Sequence, residues 1–263
     1  MKINSKHSPA QTQPDPAHPE HHAPRDDFSR KRAGWILPVY TSTRCLRPDS
    51  AKAKQNHFLA PDSRGEVQKQ YDFIRSRIRQ RIGDSAGKTI MVTSPLSGEG
   101  KTITAVNLAL TLARDYEHTV LLVDADLKGQ RIHEVVGYES AAGLADYLHD
   151  DRPLHELMVC PGVEKLTIIS GGGSLLESSE LLRSSRMGRL VTEMRDRYSD
   201  RYVLFDVPPV LTGTDAVSLA SSVDYIIVTV RAGVSTLPDL QTALDMLPQD
   251  KIIGVILNGV DNG

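Results

Sequence analysis

The sequence predicts an α/β fold: a mostly parallel sheet covered by helices on both faces, preceded by a disordered tail. Three observations predict it. Six short, continuous apolar runs recur after residue 88. Stretches with helical spacing separate them, so the runs read as parallel strands buried on both faces. The composition breaks near residue 60. Residues 1–60 hold ten Lys/Arg against five Asp/Glu, leaving 21 against 28 for the rest, so a basic tail precedes an acidic domain.

Residues 1–60 form the basic Pro/His-rich tail. Pro9, Pro14, Pro16, Pro19 and Pro24 break any helix, and large apolar residues are scarce. His18, His21 and His22 read as solvated tail residues, because no second ligand cluster follows. Arg30-Lys31-Arg32 beside Trp35-Ile36-Leu37 is a basic patch with an apolar plug, read as a linker or a docking segment. Cys45 and Cys160 lack metal-ligand spacing and read as free thiols of a reducing compartment. The N-terminus has no apolar signal region, and no segment reaches the ~18 apolar residues of a membrane span. A cytoplasmic protein is expected, brought to the inner membrane only through a partner. The net charge of −2 gives no pull toward nucleic acid.

Residues 61–263 read as one domain. A helix is expected over 64–82, with Val67, Tyr71, Ile74, Ile78 and Ile82 on one stripe. Arg75, Arg77, Arg79 and Arg81 crowd its C-terminal end, where cations suit the macrodipole. Strands are expected at 89–93, 119–123, 166–169, 202–205, 225–230 and 252–257. Helices are expected near 101–115, 140–149, 177–197, 214–221 and 236–247. In such a sheet, ligands bind beyond the carboxyl ends of the strands.

Three strand ends carry chemistry. The first runs into Ser94-Pro95-Leu96-Ser97-Gly98-Glu99-Gly100-Lys101-Thr102 and then a helix, a P-loop in its expected context except that Pro95 stands where the strict pattern has Gly. Gly98 and Gly100 let the backbone curl around phosphates, and the helix N-terminus adds a positive dipole end. Ser97, Gly98, Glu99, Gly100, Lys101, Thr102 and Ile103 are the expected nucleotide-binding stretch. Lys101 is expected on the β- and γ-phosphates and Thr102 on Mg²⁺. The second strand ends in Val123-Asp124-Ala125-Asp126, two carboxylates whose natural partner is a cation. The third ends in Phe205-Asp206-Val207-Pro208-Pro209, with Asp206 as a metal ligand. Together these predict a P-loop NTPase fold binding ATP and Mg²⁺. Asn258, at the end of the last strand, reads equally as an adenine contact or as a turn residue.

The set PLSGEGKT, LLVDADL and LFDVPPV resembles the three Walker motifs of the bacterial tyrosine kinases, the P-loop autokinases that regulate capsule and exopolysaccharide export. The likeness runs through residues 69–261. It takes in Gly143-Leu144-Ala145-Asp146-Tyr147-Leu148, Glu180-Leu181-Leu182 with Ser184 and Met187, and Gly254-Val255-Ile256-Leu257-Asn258 with Val260 and Asp261. The resemblance implies a P-loop kinase domain over 61–263 that phosphorylates tyrosine. It makes Lys101, Asp124 and Asp126 catalytic, and Thr102, Asp124 and Asp206 the metal-binding set. It also implies a membrane chain-length-determinant protein (a polysaccharide co-polymerase) as partner, and leaves homo-oligomerisation open.

Three departures bear on that reading. The family carries a C-terminal tyrosine cluster, whereas the last tyrosine here is Tyr225, so Tyr40, Tyr71 and Tyr116 become the acceptor candidates. Lys128 stands where the family has Arg after its second motif, keeping the charge but not the bidentate fork. Lys69, Asp72 and Arg75 stand on the Glu-x-x-Arg-x-x-Arg assembly face, two of three with reversed sign. A non-kinase ATPase switch of the export machinery is the alternative. A partition or division-site ATPase is a third reading, weakened by Leu96 at the position of that group's extra lysine.

Overall fold

The computed structural model describes residues 43–46, 55, 65–83, 88–140, 142–173, 178–197 and 200–260. Most of the tail, its histidines, the Arg30–Leu37 segment, Tyr40 and Asp261 lie outside the described residues; within the stretch read as disordered, Arg44–Cys45 form a short strand held by pairing with Val159–Cys160. Eight strands form one sheet: β1 (Arg44–Cys45), β2 (Thr89–Thr93), β3 (Thr119–Asp124), β4 (Met158–Cys160), β5 (Leu166–Ile169), β6 (Arg201–Asp206), β7 (Tyr225–Arg231) and β8 (Ile252–Asn258). Their spatial order is β1-β4-β5-β3-β6-β2-β7-β8, and every pair is parallel except β4 with β5. Nine helices are described: α1 (Glu66–Ile82), α2 (Lys101–Ala113), α3 (Ile132–Val136), α4 (Leu144–Asp150), α5 (Leu154–Leu157), α6 (Ser178–Arg183), α7 (Ser185–Asp196), α8 (Asp215–Ala220) and α9 (Leu237–Asp245). None of them is long and apolar enough to cross a membrane.

Strand pleating sorts the core into two layers. Val120, Leu122, Ile90, Val92 and Leu204 face α1, α2 and α3. Leu121, Val123, Met91, Val203 and Phe205 face the opposite layer, built from α4 to α9. Central strands are therefore apolar on both faces, which is why they read as continuous apolar runs. The β3–β6 register sets Asp124 directly opposite Asp206 at the carboxyl ends of two adjacent strands.

The sequence expectations fail at particular places. The buried face of α1 runs through Gln68, Tyr71, Ile78 and Ile82, while Val67 is exposed. Val67 lies on the same side of the helix as Ile78 but in its first turn, at the exposed end of the stripe, while Ile74 is partly buried against the core. Its Arg75 donates to the Thr111 carbonyl at 3.1 Å, and Arg79 pairs with Asp115 at 3.0 Å, so these cations tie α1 to the end of α2. The helix expected over 177–197 is two. Ser184 is extended (φ −63°, ψ 149°) and its hydroxyl accepts from Met187 N at 3.2 Å, an N-cap that ends α6 and starts α7. The helix expected over 140–149 starts at Leu144, and α3, α5, β1 and β4 were not anticipated.

The start of α4 sits hard against the loop after β5. A Cβ on Gly143 would lie 1.9 Å from the Ser170 carbonyl oxygen, which is backbone and cannot rotate away. Gly143→Ala is expected to destabilise the fold by about 3 kcal/mol, the upper range for overpacking. A denaturant midpoint unchanged from wild type would contradict this contact.

Candidate functional site

The site lies where the P-loop, the β3 end and the β6 end meet. Gly98 and Gly100 have φ of 82° and 85°, left-handed values that favour glycine, and Gly100 caps α2. The turn after β6 braces the loop's start: Val210 N donates to Ser94 O at 2.8 Å and Leu211 N to Pro95 O at 3.1 Å. Within the loop, Leu96 N donates to the Glu99 carboxylate at 2.7 Å, and Ser235 donates its hydroxyl to the other Glu99 oxygen. The Glu99 side chain is thus a buried strut, and only its backbone is left to face a ligand. Ser97 and Gly98 are exposed at the loop tip, while Ile103 is partly buried against the core.

Lys101, Asp126 and Asp206 converge. The Lys101 ammonium lies 2.7 Å from Asp126 Oδ2, 3.6 Å from Asp206 Oδ1 and 3.4 Å from the Thr102 hydroxyl. Burial opposes the Lys101 charge, but Asp206, Asp126 and Asp124 outweigh it and hold its pKa above the ordinary lysine value. Asp126 also accepts from Gly129 N at 2.9 Å. Asp124 is fully buried, and its oxygens accept backbone N–H groups from Asp126, Arg131 and Ile132, each at 3.2 Å. Burial first, then the facing Asp206, pushes its pKa up to about 8.

Asp206 differs from both neighbours. It is fully buried, and neither carboxylate oxygen has a hydrogen-bond partner. Burial raises its pKa, with Lys101 and Thr102 working against that. An orphaned buried carboxylate opposite Asp124, beside a threonine hydroxyl at a helix N-terminus, is an all-oxygen donor set of the kind that suits Mg²⁺. The residues present therefore fit the metal.

Asn258 donates to Glu99 O at 2.9 Å and to the Thr104 hydroxyl at 3.1 Å. Its amide is a tie between β8 and the loop. Lys128 reaches Asp215 at 3.3 Å, away from the P-loop. A cleft of about 450 Å³ opens beside Asp126, with Lys128, Gln130, Arg131 and His133 among its walls. Sequence reasoning missed Ser235 and Arg231, whose guanidinium donates to Gly98 O at 3.3 Å. Both reach the loop across more than 130 residues, and no local pattern announces that.

The acceptor candidates fare unevenly. Tyr71 is buried against α2 with its pKa raised by burial, so it is no exposed acceptor. Tyr116 is 65% exposed, the one exposed tyrosine among the described residues. It follows α2, whose 13 residues carry it about 20 Å from Lys101, toward the amino ends of the strands.

The comparisons with known proteins agree with this architecture. Residues 87–249 match the family model described as an AAA domain. The chain is 30% identical over 217 residues to the tyrosine-protein kinase YwqD of Bacillus subtilis, covering 81% of this chain and 90% of that one. It is 32% identical over 190 residues to a protein named as a putative tyrosine-protein kinase, EpsB of Ralstonia nicotianae, covering 72% of this chain but only 25% of the relative's length. Among solved structures, the VpsO kinase domain superposes with a TM-score of 0.66 at 30% identity, covering 74% of this chain and 97% of that one.

Proposed function

The chain belongs to the bacterial tyrosine-protein kinase family, and on that premise we propose that it binds Mg·ATP at the P-loop and transfers the terminal phosphate to a tyrosine hydroxyl. The observation that carries this is the convergence of Lys101 with Asp126 and Asp206 at the strand ends, with the Asp206 oxygens unpartnered. The backbone of residues 97–103 would hold the phosphates, and Lys101 would neutralise them. Thr102, Asp124 and Asp206 would hold Mg²⁺, which supplies charge neutralisation at the phosphoryl oxygens when bound. Asp126, bonded to Gly129 in the wall of the cleft, would accept the proton of an incoming tyrosine hydroxyl, whose pKa near ~10 needs such a neighbour. Asn258 would steady the loop beneath the base.

Among the described residues no exposed tyrosine lies near Lys101, so the acceptor is sought on another molecule. Tyr116 sits too far from Lys101 for transfer within one chain. The exopolysaccharide or capsule export system is the setting we propose, with the kinase held in the cytoplasm at the inner membrane by a chain-length-determinant partner. The test is phosphotyrosine formation on an added tyrosine-containing acceptor or on a second copy carrying Lys101→Ala, over a range of enzyme concentrations. A rate per enzyme that rises with acceptor supports transfer in trans. Phosphotyrosine forming within the monomer at a concentration-independent rate would overturn it. Free phosphate without phosphotyrosine would replace the kinase with an ATPase switch, the second reading, which the distant position of Tyr116 favours.

Metal binding also has a proton signature. An Asp124 pushed up to about 8 is mostly protonated at neutral pH, and a metal ligand must be deprotonated. Mg·ADP binding is expected to release close to one proton at pH 7 and few at pH 9. Calorimetry in buffers of different ionisation enthalpy reads this, and buffer-independent heats at pH 7 would contradict it.

A further inference from the structure

Cys45 and Cys160 are the only two cysteines of the chain, 115 positions apart, and the fold sets them side by side. They are direct register partners on the adjacent parallel strands β1 and β4. Register partners carry their side chains on the same face of the sheet, and Leu46 N donates to Cys160 O at 2.8 Å. Both are free thiols, Cys45 exposed and Cys160 buried. Adjacent strands lie about 4.8 Å apart, inside the range of Cα separations that a disulfide spans.

We propose that Cys45 and Cys160 form a reversible intramolecular disulfide that staples β1, and with it the N-terminal region, to the edge of the sheet. β1 needs such a staple more than any other strand: two residue pairs and one flanking hydrogen bond hold it. The exposures set the order of events. Cys45 meets solvent and is the attacking sulfur. Cys160, whose pKa burial pushes up to about 11, is a poor nucleophile toward solvent oxidants and serves as the resolving thiol. With a peroxide as oxidant, the Cys45 thiolate attacks one oxygen and the O–O bond breaks, giving a sulfenic acid and, after protonation, water. The Cys160 sulfur then attacks the Cys45 sulfur, the S–O bond breaks, and the departing hydroxide takes the Cys160 proton as a second water. The two sulfurs lose two electrons and the peroxide gains them. A link between neighbouring strands is exposed to reducing thiols on one side and is therefore reversible.

The staple is independent of the nucleotide site. Five strand spacings separate β1 from β2, about 24 Å. The test treats the native full chain with a few equivalents of hydrogen peroxide, then denatures it under alkylating conditions and maps the peptides. Both thiols should disappear from the monomer together, with one linked peptide pair that dithiothreitol releases. Trypsin cleavage after Arg44 should slow in the oxidised form and recover on reduction. Cys45→Ser, at an exposed position that folding tolerates, should leave Cys160 fully alkylatable after the same treatment. Over-oxidised Cys45 with Cys160 still alkylatable, or disulfide-linked dimers through Cys45, would overturn the proposal.

Discussion

Replacing Lys101 with alanine is expected to strip the protein of activity and to destabilise it at the same time. Lys101 is the cation within ion-pair distance of both Asp126 and Asp206 among the described residues. Removing it leaves three carboxylates around a buried point with no counter-charge. Breaking a buried ion pair from one side costs about 3–5 kcal/mol, because the survivors are stranded. A fall in melting temperature of about 10 °C follows for a domain of this size. Millimolar Mg²⁺ without nucleotide should restore part of that loss, since a dication can take the vacated role. Turnover should drop by at least ~10²–10³, the usual effect of deleting one charge-stabilising donor at a transition state. Arginine should not rescue it, because the planar fork does not fit where a point charge sits. A Lys101→Ala protein with wild-type stability and unchanged Mg²⁺ response would contradict the described geometry.

Asp206→Asn is expected to do the opposite to stability and the same to activity. Asp206 is buried with unpartnered oxygens facing Asp124, so its charge is a liability in the nucleotide-free protein. Neutralising it should stabilise that state by about 1–2 kcal/mol, since three carboxylates share the one Lys101 charge and an amide costs less to bury than the surplus carboxylate. Thermal melting without Mg²⁺ checks this. Turnover should fall by at least ~10², because the metal loses a charged ligand. The pH profile carries a second mark. A carboxyl whose folded pKa is about 8 holds a proton that the unfolded chain sheds near ~3.9. Between those values the folded state binds more protons, so stability falls as pH rises across the window. Asp206 is the second-largest cause of the Asp124 shift, so Asp206→Asn should flatten that slope. A variant less stable than wild type at pH 8 without metal would contradict this account.

The parts legible in the sequence were those with a local physical cause. β2 and β5 begin and end as read, because strands buried on both faces are unbroken apolar runs bounded by turns. Gly98 and Gly100 were legible because only glycine accepts their left-handed backbone cheaply. The parts that were missed have tertiary causes. β1 and β4 are two and three residues long, and only the neighbouring strand makes them strands. Val67 is exposed and Gln68 buried in the first turn of α1, a helix-end difference that residue hydrophobicity does not announce. The Glu99–Ser235 strut is a meeting of two loops that no window of sequence contains. The three aspartates were visible as candidates, but Asp124 and Asp206 become a facing pair only through the β3–β6 register.

The fate of the γ-phosphate in a single turnover tests the central claim most directly. The protein would be mixed with substoichiometric γ-labelled ATP and Mg²⁺, with and without the cytoplasmic segment of a membrane partner, beside the Asp206→Asn and Lys101→Ala variants. Label recovered on tyrosine, absent in both variants, is the predicted result. Label on tyrosine that persists in both variants would contradict the assignment of the site, and unreacted ATP under every condition would contradict phosphoryl transfer itself.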